Sequence, residues 1–288
     1  MKAVDEEFGP LEWRLPESHA IYWATLGLKR AKKEEQITLR REIYQPLQLA
    51  FQRGRLIEFK VGDKKKYDIG PNLTMIPNAN KAYEKAMAED AENRAHISTA
   101  HKNFLKDAVY FLYTHNRRAD AQQWMNYLVA KYPDALIYDA RTDGKAPQKI
   151  ADMTVQDYCA ARVTEDIGET DRKRVQQAIE GFLERSYFHL AIGEDDYATG
   201  YALFAGNIWD RYQRKVTRKG TAPDERVALP PLDFLKSQAL KSFDESYEPL
   251  LVARLHTKLG LPAPTNAPPQ APTNALPNSV TPGSLPNP

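Results

Sequence analysis

Histidine offers this chain its widest range of chemistry, because an imidazole can transfer protons and bind metal ions near neutral pH. The six histidines are spread along the sequence: His19, His96, His101, His115, His189 and His256. His96 and His101 are five residues apart, so a helix would not place them on one face. The sequence has no His-Glu-x-x-His motif, the arrangement that binds zinc on a helix. We therefore predict no metal site, and we expect histidines that are packed or solvated one by one.

Two acidic clusters could also do chemistry, since paired carboxylates act in acid/base catalysis or bind cations. The clusters are Glu165–Asp166 and Glu194–Asp196. Each lies at a predicted helix terminus, and the helix dipole stabilises negative charge at an N-terminus. Helix capping is therefore the favoured interpretation. The single cysteine, Cys159, lies on a predicted helix without a nucleophile motif, which favours a buried structural thiol. The sequence thus predicts no catalytic residue and no cofactor.

Two basic clusters could bind phosphate groups. Three lysines, Lys64 to Lys66, lie at the tip of a predicted hairpin, and a second cluster lies near a helix end: Arg211, Arg214, Lys215, Arg218 and Lys219. The helix dipole alone stabilises basic residues at a helix C-terminus. The sequence has no glycine-rich dinucleotide motif and no phosphate-loop motif, so phosphate recognition lacks a second signal. Binding to nucleic acid or to an anionic surface stays an alternative that we do not favour.

The composition is that of an ordinary globular protein. The 288 residues are 42% hydrophobic and 27% charged, with a formal net charge of +2. Such a charge gives the whole chain no strong attraction to nucleic acid or anionic lipid. There is no run of about 18 apolar residues, the length of a membrane span, and the first residues lack the apolar stretch of a signal peptide. We expect a soluble, cytoplasmic protein without a transmembrane segment.

Residues 1–260 show helical periodicity and are interpreted as one helical domain. The predicted helices cover about residues 17–31, 34–53, 80–115, 118–132, 155–166, 170–190, 195–212, 231–242 and 247–259. In the first of them, an apolar face is predicted for Ala20, Trp23, Ala24, Gly27 and Leu28, which recur at helical spacing.

Particular residues predict where these helices begin, end or bend. Pro46 predicts a kink or break near Tyr44, because proline removes a backbone hydrogen bond inside a helix. A break is also expected near Asn93. Thr154 is expected to cap the helix that follows it, and Gly260 is expected to end the last helix.

A change to period two over residues 56–69 predicts a small β-hairpin inserted in the helical domain. Two loop lengths are compatible with the pattern. A two-residue loop would set Phe59 opposite Lys66, whereas a three-residue loop over Gly62–Lys64 would set Phe59 opposite Tyr67. The second choice is favoured, because residues that face each other across two strands share one face of the sheet.

The two ends of the chain differ from the helical body. Phe8–Pro16 is aromatic and apolar but too interrupted for a helix, so we expect an extended strap. Trp13 would anchor the strap, either within this chain or against a partner. Residues 261–288 contain 9 of the 20 prolines and no charged residue, which predicts a disordered, proline-rich tail.

One stretch, over about residues 102–133, has small or bulky apolar residues at positions 108, 112, 121 and 128 and a proline at 133. In this pattern it resembles a tetratricopeptide (TPR) repeat. In that family a pair of helices carries small and bulky apolar residues at fixed positions, and a proline ends the second helix. The residues that match, and that would form the seam of the pair, are Ala108, Leu112, Ala121, Leu128 and Pro133. The glycine usual on the first helix of the family is replaced by Val109. A single repeat cannot bury both of its faces, so neighbouring helices must stack on it.

The resemblance implies a helical adaptor that binds proteins or peptides, and it implies no catalytic residue. The expected fold is mainly α, either a TPR-like α-solenoid or an irregular helical bundle, with the hairpin at 56–69. The expected function is a non-catalytic interaction or scaffold module for an unidentified protein or peptide. The alternative is an enzyme whose site is assembled from distant residues. A groove without clustered titratable groups would favour binding, and a closed polar pocket joining histidines and carboxylates would favour the enzyme.

Overall fold

The structure, a computed structural model, describes residues 1–137, 148–166, 172–217 and 228–262. These residues form eleven α-helices and one antiparallel β-hairpin: α1 (Lys2–Phe8), α2 (Pro16–Leu28), α3 (Gln36–Arg53), β1 (Arg55–Val61), β2 (Lys64–Gly70), α4 (Ile76–Glu89), α5 (Arg94–Thr114), α6 (Arg118–Lys131), α7 (Val155–Asp166), α8 (Arg172–Ala191), α9 (Asp195–Val216), α10 (Leu232–Ser246) and α11 (Pro249–Leu259). The mainly helical fold with one small hairpin is confirmed. The predicted tail lies outside the described residues from position 263 onward.

The helices pack in two different ways. From α2 to α6, each helix packs against the next one in sequence, as in helical repeats. In the second half the packing centres on α8, which contacts α9, α10 and α11, while α7 lies against α5 and α9. An unbroken series of sequential contacts therefore characterises α2 to α6, whereas α8 is the centre of the packing in the second half.

The described residues contain two hydrophobic cores. The larger core runs through α1 to α10, and its largest fully buried side chain is Trp124. The smaller core joins the inner face of the hairpin to α8, α10 and α11, with Phe59 edge-on to Phe188 at 5.7 Å between ring centroids. The hairpin is thus fixed to the helical body through one apolar face.

The helix pair α5–α6 carries the residues of the predicted seam. Four of them are completely buried: Ala108, Leu112, Ala121 and Leu128. Pro133 is exposed and lies two residues beyond the end of α6 at Lys131. A tight pair is therefore present at this point of the chain. The TPR-like assignment of the whole stays a prediction.

The apolar face predicted for α2 was right at Ala24 and Leu28, which pack in or against the core, and wrong at Trp23. Trp23, placed in the core by the prediction, is 67% exposed, whereas Ile21 is fully buried. The buried side of α2 also includes Glu17, which accepts a 2.8 Å hydrogen bond from Nε of Arg53 on α3. Because a carboxylate with a cationic partner can be buried, apolar spacing alone identified only part of the buried face.

Most predicted helix boundaries are confirmed. The break near Asn93 separates α4 from α5, and the amide of Asp157 donates to Oγ1 of Thr154 at 3.1 Å, as expected of an N-cap. Gly260 ends α11 in the left-handed conformation. Of the kink or break expected near Tyr44, the break is absent, because α3 runs as one helix from Gln36 to Arg53 with Pro46 inside it; the kink stays a prediction. Helix α1 was not predicted.

The hairpin has the register that the sequence pattern disfavoured. β1 and β2 are joined by a two-residue turn, so Phe59 lies opposite Lys66 and not opposite Tyr67. Gly62 in this turn has φ +61°, which two-residue hairpin turns require and which glycine adopts without steric cost. The three-residue loop was therefore wrong, and Tyr67 is 53% exposed on the outer face.

Ion pairs explain why charged residues of β2 can face the body. Lys66 pairs with Glu248, and Asp68 lies 3.7 Å from Arg185 of α8. The two strands therefore do not share an apolar face. β1 supplies apolar contacts and β2 supplies polar ones.

Among the described helices, none combines the length and the apolar content that crossing a membrane requires.

Candidate functional site

A groove lies between the first four helices, and we call it the α1–α4 groove. Its volume is about 310 Å³, which is the lower end of the range for ligand pockets. Its floor is apolar and consists of Phe8, Leu28, Ile43, Ala82 and Ala86. It is open to solvent along one side and therefore accessible to a side chain from outside.

Two alanines create the space in the groove. Ala82 and Ala86 are four residues apart on α4, so they lie on one face of that helix one turn apart. Both are buried, and their methyl groups leave room between α4 and the side chains of Phe8 and Leu28. Larger residues at these two positions would fill the groove.

The rim of the groove is charged. Lys85 of α4 pairs with Glu7 of α1 at 3.0 Å, and Arg40 of α3 pairs with Glu89 of α4 at 3.0 Å. Lys29, at the end of α2, also lines the groove and has no ion pair among the described residues. The rim thus carries three cations and two carboxylates, which leaves one positive charge at Lys29.

The predicted anchor Trp13 packs within its own chain. Its Nε1 donates to Asp5 of α1 at 2.9 Å, and its ring lies edge-on to Tyr22 at 6.2 Å between centroids. The strap therefore joins α1 to α2 and fixes one wall of the groove. The exposed apolar side chains on α2 are instead Trp23 and Leu26, at 67% and 37% exposure.

A second candidate site is a buried polar cluster. It lies where the C-terminal ends of α5 and α8 meet the first residues of β1 and α9. We call it the His115–His189 cluster, and its members are Arg55, His115, His189, Glu194, Tyr197 and Tyr201. A cleft of about 210 Å³ lies beside it. Its combination of histidines and a carboxylate is the arrangement expected of the alternative enzyme.

Glu194 holds the charged part of this cluster together. Arg55 Nη2 donates to Glu194 Oε2 at 2.8 Å, and His189 Nδ1 donates to the same oxygen at 3.0 Å. The guanidinium of Arg55 also lies 4.5 Å from the ring centre of Tyr197. Burial alone would raise the pKa of Glu194, but hydrogen bonds from His189 and Arg55 and the charge of Arg55 lower it below the ordinary value.

His115 is the neutral part of the cluster. Its Nδ1 donates to the carbonyl oxygen of Phe111 at 2.7 Å, and the hydroxyl of Tyr201 donates to its Nε2 at 3.1 Å. Burial lowers the pKa of His115 to about 3, so the ring is uncharged at neutral pH. Gly200 permits this contact between α9 and α5, because a Cβ there would meet the carbonyl oxygen of Thr114 at 2.5 Å.

The hydrogen bonds of the cluster favour a structural role over catalysis. A general base needs a free nitrogen that reaches the substrate, but both ring nitrogens of His115 are bonded within the chain. The ring of His189 does not line the adjoining cleft. The cluster joins the hairpin and α9 to the end of α5. Its one histidine that lines the cleft is His115, whose ring nitrogens are engaged within the chain.

The other residues singled out in the sequence lie apart from both sites. Cys159 is a free, buried thiol whose pKa is raised by burial, as expected of a structural cysteine. Of the second basic cluster, Arg211 lies 3.6 Å from Asp157. The side chain of Lys215, the residues Arg218 and Lys219, and the side chains of the acidic pair 165–166 lie outside the described part.

The acidic cluster at the start of α9 does more than the predicted capping. Asp195 is the first residue of α9 and pairs with Lys258 of α11 at 2.9 Å. Glu194, which precedes the helix, pairs with Arg55 and His189. Within the described residues, no group of three histidine, cysteine or acidic side chains could hold a metal ion.

Neither candidate site could be read from a motif. The groove is lined by side chains from four helices. Its visible signal in the sequence was the pair Ala82 and Ala86, two small residues one helical turn apart. The cluster brings Arg55 within 2.8 Å of Glu194 across 139 positions of sequence. Such long-range pairing is set by the fold alone.

Comparison of the chain with models of protein families, with curated proteins and with solved structures gave no match.

Proposed function

We propose that the protein is a non-catalytic interaction module that binds a peptide or helical segment of a partner through the α1–α4 groove. The observation that carries this proposal is the open apolar groove of about 310 Å³ between four helices. Its lining contains no histidine and no cysteine, so it lacks the groups most used in proton transfer and nucleophilic attack.

The groove also suggests the chemistry of the partner segment. An apolar floor of this size fits one or two apolar side chains, which would be buried on binding at about 25 cal/mol per Å² of apolar surface. The unpaired Lys29 on the rim attracts a carboxylate. We therefore expect an apolar anchor residue with an acidic residue nearby. The TPR-like pair α5–α6 supports an adaptor role by resemblance only.

The buried free thiol of Cys159 is compatible with a reducing compartment such as the cytoplasm, and we place the proposed interaction there.

An enzyme remains the second candidate function, favoured by the His115–His189 cluster and its cleft. The bonded nitrogens of His115 and the position of His189 weigh against it. Binding of a small molecule in the cleft beside Arg117 and Asn116 would favour this function. The rate at which the protein converts that molecule would then be the test.

A photo-crosslinking experiment tests the proposed groove. A photoreactive phenylalanine analogue replaces Thr25, which lines the groove, or Thr99, which is exposed on α5. These positions are matched, because each threonine hydroxyl donates to the carbonyl four residues earlier, at 2.7 Å and 3.1 Å. In extract of the native host, we expect a discrete crosslinked partner from position 25 and none from position 99. Identical products from both positions would contradict the groove as the binding site.

A further inference from the structure

The outer edge of β2 is a second surface, and the hairpin register defines which of its backbone groups point outward. In a hairpin closed by a two-residue turn, the residues flanking the turn form a hydrogen-bonded pair. Here that pair is Val61 and Lys64. Alternation along the ladder then directs the amides and carbonyls of Lys65, Tyr67 and Ile69 away from β1.

A contact on the other edge supports this assignment. Lys60 lies opposite Lys65, so its carbonyl should point away from β2. Nη1 of Arg254 on α11 donates to that carbonyl oxygen at 2.6 Å, which is the direction required. The edge of β1 is therefore partly covered by α11.

The edge of β2 has no such cover among the described residues. The backbone groups of Lys65, Tyr67 and Ile69 have no hydrogen-bond partner there outside the hairpin. Their side chains lie on the outer face, where Tyr67 is 53% and Ile69 is 47% exposed. An unpaired strand edge with exposed apolar side chains is a template for a further strand.

Charge is distributed unevenly along this edge. Three consecutive lysines, Lys64 to Lys66, occupy the half next to the turn, and Tyr67 and Ile69 occupy the other half. Lys66 pairs with Glu248 and Lys65 with Glu58, but Lys64 is exposed and has no ion pair among the described residues. Lysines on an edge oppose pairing with uncharged strands, whereas opposite charges on adjacent strands stabilise pairing.

From these features we infer that β2 binds an extended peptide segment as a third strand of the sheet. The segment carries acidic residues opposite Lys64 and Lys65 and apolar residues opposite Tyr67 and Ile69. Main-chain hydrogen bonds to the three outward positions supply affinity, and the lysines select for acidic segments. This surface shares no residue with the α1–α4 groove, so the two proposals stand or fall separately.

A second copy of the chain fits this edge less well. Its β2 strand would bring the same three lysines and a single carboxylate, Asp68, which already lies beside Arg185. Self-pairing would therefore leave Lys64 without an acidic partner and would bring lysines of the two copies close together. An acidic segment from another chain supplies that partner.

Titration of the full-length protein with synthetic peptides, followed by amide chemical shifts in NMR spectra, tests the inference. The probe Ac-SVTVEEE-NH2 places its glutamates opposite the lysines in an antiparallel arrangement, and Ac-SVTVKKK-NH2 is the charge-reversed probe. We expect saturable shifts at the amides of Lys65, Tyr67 and Ile69 with the acidic probe, and at least about tenfold weaker binding of the basic probe. Equal binding of both probes, or shifts at other positions only, would overturn the inference.

Two variants sharpen the test. Lys64→Glu removes an exposed, unpaired charge, so it should weaken the acidic probe about threefold or more and strengthen the basic probe. Tyr67→Pro removes an outward amide that makes no ladder bond, so it should abolish binding while the remaining spectrum stays that of the folded protein. Concentration-dependent dimers in sedimentation that Tyr67→Pro abolishes would show that a second copy occupies the edge, which would also overturn the inference.

Discussion

Ala121 is completely buried on α6, the helix that packs against α5. Replacing it with leucine adds three carbon atoms to a closely packed contact. We predict that Ala121→Leu lowers the free energy of unfolding by about 1–3 kcal/mol, measured by urea denaturation. Ala130, exposed on the same helix, is the matched control, and Ala130→Leu should change stability by less than about 0.5 kcal/mol. An unchanged midpoint for Ala121→Leu would show that the two helices do not pack tightly there.

His115 makes the fold sensitive to acid. Its pKa is about 3 in the folded protein and about 6.5 in an unfolded chain. Between these values the unfolded state binds more protons, so the free energy of unfolding falls as the pH falls from 6.5 towards 3. His101, whose pKa burial lowers to about 4, acts in the same direction.

We predict that replacing His115 changes how steeply the free energy of unfolding varies with pH. In urea denaturation at pH 7 and pH 5, the wild-type protein should lose stability on acidification, and His115→Gln should lose clearly less. Each pKa unit of difference corresponds to about 1.4 kcal/mol. His96→Gln, at an exposed site on α5, should keep the wild-type slope. A slope unaffected by His115→Gln would contradict the buried neutral imidazole.

At the scale of elements, substitution by alanine should change stability in opposite directions at two glycines, one in the hairpin turn and one inside α8. Gly62 has φ +61°, and a Cβ there would lie 3.3 Å from Leu250, so Gly62→Ala should destabilise the protein by about 1–2 kcal/mol. Gly181 lies inside α8 with open space around it, so Gly181→Ala should stabilise it by about 0.5–1 kcal/mol. Thermal unfolding measures the melting temperature of each variant, which should be lower than that of the wild type for Gly62→Ala and higher for Gly181→Ala. A turn of another type would tolerate alanine at position 62.

The helical elements could be predicted from the sequence because their boundaries depend on local chemistry. Thr154 caps α7 through its own hydroxyl, and Gly260 ends α11 through its own backbone conformation. The register of the hairpin could not be predicted by apolar matching. Lys66 and Asp68 face the body because Glu248 and Arg185 lie there, and those partners come from distant helices.

The candidate sites were less predictable than the helices. The buried Glu17 on α2 pairs with Arg53 of α3, and Trp23 of the same helix is exposed. Trp13 was expected to anchor the strap within this chain or against a partner; in the structure it contacts Asp5, which lies on a helix that the sequence pattern did not indicate. Sites built from contacts between distant elements leave no periodic signal in the sequence.

At the scale of the whole molecule, the structure refines where the helical body should end. Beyond Gly260, the amide of Leu261 donates to the carbonyl oxygen of His256 at 2.9 Å, and Nδ1 of His256 donates to the carbonyl oxygen of Pro262 at 2.8 Å. Truncation after Pro262 should therefore leave the melting temperature within about one degree. Truncation after Gly260 removes both hydrogen bonds and should lower it measurably.

The two truncations control for each other, since they differ by two residues. A marked loss of stability in the variant truncated after Pro262, measured by calorimetry, would show that residues 263–288 stabilise the helical body. That result would contradict the prediction of a dispensable proline-rich tail.

The central claim is that the α1–α4 groove holds an apolar side chain of a partner segment. The most direct test takes the tightest peptide selected from a random displayed library on the wild-type protein and measures its affinity by calorimetry. Thr25→Tyr fills the groove, and Thr99→Tyr makes the same change on an exposed face of α5. We expect an affinity at least about tenfold lower, or about 1.4 kcal/mol, for Thr25→Tyr and an unchanged affinity for Thr99→Tyr. Equal affinities for the wild type and both folded variants would contradict the central claim.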